Sequence, residues 1–114
     1  MGFELEFYEK ETGEVPFDEF MEVLTPKMRA KVLRALDLLE RCGNSLREPY
    51  TKYLGNEIFE LRTSFGGDSA RSMYFFYSEG TIVITHGFLK KQRKTPRREI
   101  ERAIAYRKDW ISRR

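Results

Sequence analysis

The chain has 114 residues, 40% of them hydrophobic and 34% charged, and carries a formal net charge of +3. That length supports one hydrophobic core, so a single domain over residues 1–114 is expected. No apolar run approaches the ~18 residues of a membrane span, and one cysteine, Cys42, cannot staple a fold; composition thus excludes a membrane span and a disulfide scaffold.

Phe3-Glu4-Leu5-Glu6-Phe7-Tyr8 alternates apolar and polar residues, the period of a half-buried strand. The acidic opening lacks the basic-then-apolar layout of a signal peptide, and a cytoplasmic protein is expected. After the break at Thr12-Gly13, Pro16 stands near a helix start, with Phe17, Phe20, Met21 and Leu24 at helical spacing. Thr25-Pro26 predicts a cap and first turn for a second helix carrying Met28, Val32, Leu36 and Leu39, which Gly43-Asn44 ends. The short turn between the helices suggests an antiparallel hairpin.

The polar stretch from Leu46 to Asn56, with Pro49 and Gly55, reads as a loop. Three strands are predicted next: Glu57 to Thr63, Ala70 to Tyr77 and Thr81 to Leu89, joined by turns at Phe65-Gly66-Gly67-Asp68 and Ser78-Glu79-Gly80. The third is the most hydrophobic, as expected of a strand buried on both faces. Lys94-Thr95-Pro96 opens a final helix, with Thr95 at the cap and Glu99 near the capping-box place; Ile100, Ala103, Ile104, Arg107 and Ile111 trace one face. The fold class is therefore α+β: a small twisted antiparallel sheet in β-α-α-β-β-β-α order, with helices packed on one of its faces.

Charge is distributed unevenly. Residues 1–24 hold eight acids against one Lys, whereas residues 86–114 hold eleven Lys and Arg against three acids. A basic C-terminal part is the footprint of a polyanion binder. One His and one Cys do not make a zinc site, and Gly66-Gly67 lacks a phosphate-loop pattern, so neither a metal nor a small-molecule cofactor is expected.

The remaining candidates are cations on the sheet. Arg62 and Arg71 flank the Gly66-Gly67 turn, and antiparallel pairing can set them side by side. Either Glu57, Glu60 or Asp68 neutralises them, or they clamp a phosphate, for which guanidinium forks are well matched. Alternation puts His86, Phe88 and Lys90 on one face of the last strand, and Lys91, Arg93 and Lys94 follow. Phe88 is either core or a platform for a base, and His86 is either structural or a proton-transfer group.

The run Ile82-Val83-Ile84-Thr85-His86-Gly87-Phe88-Leu89-Lys90-Lys91, then Lys94-Thr95-Pro96 and Glu99-Ile100-x-x-Ala103, resembles the phage-derived, HigB-like subfamily of RelE/ParE toxins. Glu57-Ile58-Phe59-Glu60-Leu61-Arg62 and Arg71-x-x-Tyr74-Phe75-Phe76 match strand motifs of the same family, and the likeness is strongest from residue 54 to 104. The resemblance implies a RelE-like fold and the toxin of a type II toxin–antitoxin system. It implies an endoribonuclease that enters the ribosomal A site and cuts mRNA without a metal, through attack of the 2′-OH on the adjacent phosphate. Its partners would be the ribosome, mRNA and a helix-turn-helix, HigA-like antitoxin. By position, Arg62 and Arg71 would hold phosphate, Lys90 and Lys91 would bind phosphate or stabilise the transition state, and His86 would serve as general acid or base. Phe88, Arg93 and Lys94 would contact RNA. The alternatives are a ParE-like gyrase inhibitor on the same fold and an inactive phage-derived RNA-binding protein.

Overall fold

A computed structural model describes residues 2–114; Met1, at the head of the acidic opening, lies outside the described residues. The elements are β1 (Glu4–Phe7), α1 (Pro16–Glu22), α2 (Pro26–Cys42), a short 3-10 turn (Gly43–Ser45), β2 (Thr51–Gly55), β3 (Ile58–Phe65), β4 (Asp68–Tyr77), β5 (Thr81–Lys90) and α3 (Arg97–Ser112). The strands form one sheet in the order β1-β5-β4-β3-β2. Among the described residues no helix is long and apolar enough to cross a membrane.

Local chemistry explains most boundaries. The Thr25 hydroxyl accepts from the Met28 amide at 3.1 Å, and Pro26 fills the first helical position of α2, where no amide partner is needed. Gly43 ends α2 at φ +53°, and a Cβ there would lie 1.9 Å from the Phe3 ring, so both backbone and packing require glycine. β5 lies between β1 and β4 and is buried along nearly all its length, as its apolar run implies.

The α+β architecture differs from the expectation in four places. First, Thr51–Gly55, read as loop, is the edge strand β2; its exposed Lys52 and Tyr53, its closing Gly55 and the preceding Pro49 disguise it. Second, β1 pairs with β5 in parallel, so one edge of the sheet is not antiparallel; a long crossover through α1 and α2 permits this.

Third, the helices cover both faces. α1 lies on β5 and α2 on β3, where Phe17, Phe20, Val32, Leu39, Leu61, Tyr74 and Ile84 share a core. The two helices rest on different strands, and Arg29 of α2 ties them by donating to the Met21 and Leu24 carbonyls at 3.0 Å each. α3 closes the other face over Ile58, Met73, Phe75, Val83 and Phe88, through Ala103 and Trp110. A one-residue bulge at Thr85 divides these faces within β5: Tyr74 pairs with Ile84, but the adjoining Met73 pairs with His86. Ile82 and Ile84 thus join the α1/α2 core, whereas His86, Phe88 and Lys90 turn towards the face that carries α3.

Fourth, Thr95 does not cap α3. Pro96 occupies the cap position without a side-chain hydrogen bond, and both Thr95 and Glu99 are bonded to the sheet.

The helix layer also approaches the sheet closely at Gly87, where a Cβ would sit 2.3 Å from the Phe20 ring of α1. Gly87→Ala should therefore overpack the α1–β5 contact and cost about 1–3 kcal/mol in urea unfolding. A change within about 0.5 kcal/mol, the usual range for a neutral substitution, would refute this packing account.

Candidate functional site

The register of β3 and β4 makes Arg62 and Arg71 direct cross-strand partners. Two adjacent guanidinium groups repel unless an anion lies between them. Glu60 supplies that anion: its Oε2 lies 3.0 Å from Arg62 Nε and 3.5 Å from Arg71 Nε. Its other oxygen accepts from the Thr95 hydroxyl, in the segment leading into α3. The Glu60 carboxylate is 1% exposed, so one buried charge joins β3, β4 and the approach to α3.

The two arginines are not equivalent. Arg62 keeps about a quarter of its side chain in solvent, whereas Arg71 is buried and also donates to the Ala70 carbonyl at 3.0 Å and to Ser69 Oγ at 3.3 Å. Burial lowers the Arg71 pKa, opposed by Glu60 and assisted by the Arg62 charge. Arg71 thus lies beneath the surface rather than on it.

Above this buried knot is an open groove of about 360 Å³, lined by Lys52, Leu54, Glu60, Arg62, Lys90, Arg93, Lys94, Thr95 and Ile100. Five of these side chains are cationic, and among the described residues only Arg62 has a carboxylate partner. Partial burial lowers the Lys90 pKa from its ordinary 10.5; the Arg71, Arg62 and Lys52 charges add to this and Glu60 opposes it. The groove can therefore hold a polyanion and offers one amine that sheds its proton more readily than a free lysine. Among the described residues no three His, Cys, Asp or Glu side chains gather to hold a metal ion.

His86 lies deeper and has no exposed surface. Its Nε2 is 3.0 Å from Glu99 Oε1 and its Nδ1 is 3.1 Å from the Thr85 hydroxyl. The carboxylate favours the Nε2–H tautomer, leaving Nδ1 to accept from Thr85. Phe88 stacks beside the imidazole at 6.2 Å, and Tyr106 of α3 meets it edge-on at 5.6 Å. Burial lowers the His86 pKa, and the Arg102 charge assists, despite the bond to Glu99. Glu99 is itself held below the usual carboxylate range, chiefly by its hydrogen bond to His86.

Of the residues singled out in the sequence, Arg62, Lys90, Arg93 and Lys94 converge on the groove, with Arg71 beneath it. Lys91 is exposed next to it. His86 is enclosed under α3, which keeps it from touching a ligand in the groove; its bonds make it a fastening for that helix. Phe88 is 9% exposed and packs with Tyr8, Ile58 and Met73, so of its two readings the structure favours core. Sequence reasoning missed Lys52, on the unrecognised strand β2, and Thr95, read as a cap. Thr51-Lys52-Tyr53-Leu54 does not alternate apolar and polar residues, and only its strand-favouring Thr51 and Tyr53 could have hinted at the former.

No curated protein matches the chain. The family model described as Phage derived protein Gp49-like (DUF891) matches it over residues 19–108, which takes in α2, most of α3 and every strand but β1. The chain therefore belongs to the phage-derived Gp49-like family, a RelE/toxin-like family of toxin–antitoxin systems.

Proposed function

We propose that residues 1–114 act as one HigB-like toxin domain, a ribosome-dependent mRNA endoribonuclease that halts translation in the cytoplasm and is neutralised by a cognate, HigA-like antitoxin. The observation that carries this reading is the groove over Glu60, where Lys52, Lys90, Arg93 and Lys94, without a carboxylate partner among the described residues, present their charge beside Arg62. A gyrase inhibitor acting through protein contact has no need of such a groove.

In the proposed reaction Arg62, Arg93 and Lys94 hold the RNA backbone with the scissile phosphate facing Lys90. The 2′-oxygen bonds to phosphorus, the bond to the 5′-oxygen breaks, and the products are a 2′,3′-cyclic phosphate and a 5′-OH. Lys90 takes the 2′-OH proton, and the departing oxygen takes a proton from solvent. Charge that builds on the phosphoryl oxygens in the transition state meets fixed cations. Arg71 acts from below as a positioning residue: it holds Glu60 and lowers the proton affinity of Lys90. His86 and Glu99 position α3.

Three measurements test this reading. In growth-arrested cells expressing the chain, new 5′-OH ends should appear inside translated frames, and Lys90→Ala should reduce the cleavage rate about 10²–10⁴-fold. Arrest with intact mRNA and broken DNA would assign the protein to gyrase poisoning instead.

The single-turnover rate on programmed ribosomes should rise with pH and level off below 10.5, the ordinary lysine value. Lys90→Arg should lose that rise, because its guanidinium stays protonated throughout; a rise that persists would remove Lys90 from proton transfer.

Stability should respond at the other end of the scale. His86 has a folded pKa below its ordinary 6.5 and Glu99 one below its ordinary 4.5, so the unfolded chain binds more protons at each group. Stability from both is complete above pH 6.5 and is lost as pH falls, first through His86 and then through Glu99. His86→Gln should flatten the upper part of this loss in denaturant titrations; an unchanged slope would contradict the neutral, enclosed imidazole.

A further inference from the structure

Arg62 belongs to two recesses. On one side is the groove over Glu60; on the other is a recess of about 330 Å³ between α2 and β3, lined by Lys31, Arg34, Tyr50, Arg62 and Thr63 among others. Lys27, Lys31 and Arg34 recur at helical spacing along one exposed side of α2, and among the described residues none has a carboxylate partner. Tyr50 is 54% exposed, yet its backbone is fixed: the Arg62 amide donates to the Tyr50 carbonyl at 2.8 Å. Beside the recess, the Phe65 ring lies beneath the ammonium groups of Lys27 and Lys31, at 5.9 and 5.7 Å. In the wall, the Thr63 hydroxyl is buried without a hydrogen-bond partner among the described residues, although such groups normally have one.

We propose that this recess is a second RNA subsite, in which Lys31 and Arg34 hold a backbone phosphate next to the scissile one and Tyr50 stacks the attached base. The inference rests on reading the groove as the site of the scissile phosphate. Two arguments favour RNA over an acidic protein segment. The cationic track runs unbroken through Arg62, and single strands are bound by exposed aromatic rings set among cations. Arg62 would then touch phosphates on both sides, and its ion pair with Glu60 would keep the guanidinium at that junction.

Fluorescence anisotropy on the full chain tests the proposal. The probes are labelled all-2′-O-methyl RNAs, a trinucleotide and an octanucleotide, in which attack by the 2′-oxygen is blocked. Each phosphate neutralised contributes about 0.7 to the slope of log K against log salt for a single strand, and Lys31 and Arg34 together hold one, so the Lys31→Ala/Arg34→Ala double variant should lower the octanucleotide slope by about 0.7. Tyr50→Ala should weaken octanucleotide binding roughly tenfold. The trinucleotide, if held by the groove alone, should bind these variants as it binds the parent. All three side chains are exposed, and circular dichroism checks that the variants are folded.

Octanucleotide binding unchanged in these variants, but weakened for both lengths in Lys90→Ala/Lys94→Ala, would remove the second subsite and leave the groove standing. Binding of neither length at low salt would overturn both. If Lys31→Ala/Arg34→Ala instead abolishes binding of polyglutamate while octanucleotide binding persists, the recess is a protein-docking surface and the RNA assignment fails.

Discussion

A single carboxylate, Glu60, stands almost wholly out of water between two arginines and a threonine. A buried charge is tolerable only when well partnered, because desolvation outweighs any one contact. Its partners come from neighbouring strands and from the segment before α3, so the ion joins three parts of the chain. It also makes the surrounding positive charge sustainable: without an anion at this point, Arg62 and Arg71 could not sit as direct neighbours with one of them buried. The groove above takes its character from this arrangement, since Arg71 is neutralised below while Lys52, Lys90, Arg93 and Lys94 have no carboxylate partner among the described residues.

The bulge at Thr85 gives the sheet a division of labour. Strict alternation would set His86, Phe88 and Lys90 on the same side as Ile82 and Ile84, beneath α1 and α2. The extra residue turns them to the face of α3, where His86 meets Glu99 and Lys90 meets the groove. One face of the sheet is then filled mainly by aliphatic and aromatic packing. The other combines a hydrophobic half around Trp110 with a polar half around Glu60 and His86.

The parts legible in the sequence are those governed by local rules. Thr25-Pro26 marks the start of α2, the apolar run of β5 marks an interior strand, and the short turn after Phe65 makes Arg62 and Arg71 neighbours. What escaped depends on partners distant in sequence. β2 is an edge strand whose exposed residues give little hydrophobic signal. Thr95 and Glu99 carry the pattern of a capping box, yet the sheet offers each a stronger partner, Glu60 and His86, and local capping gives way. Arg71 and Phe88 sit where the pairing puts them, but their burial is decided by what packs over the sheet, which no spacing along the strand encodes.

The segment between β5 and α3 is fastened at both ends. Lys90 is held by its pairing with Ser69, and Thr95 by its bond to Glu60. Only four residues, Lys91 to Lys94, bridge these anchors, three of them basic. A strap this short has surrendered most of its conformational freedom before any ligand arrives. Its charges are thus preorganised, and association is spared much of the ordering entropy that cations on a free tail would lose.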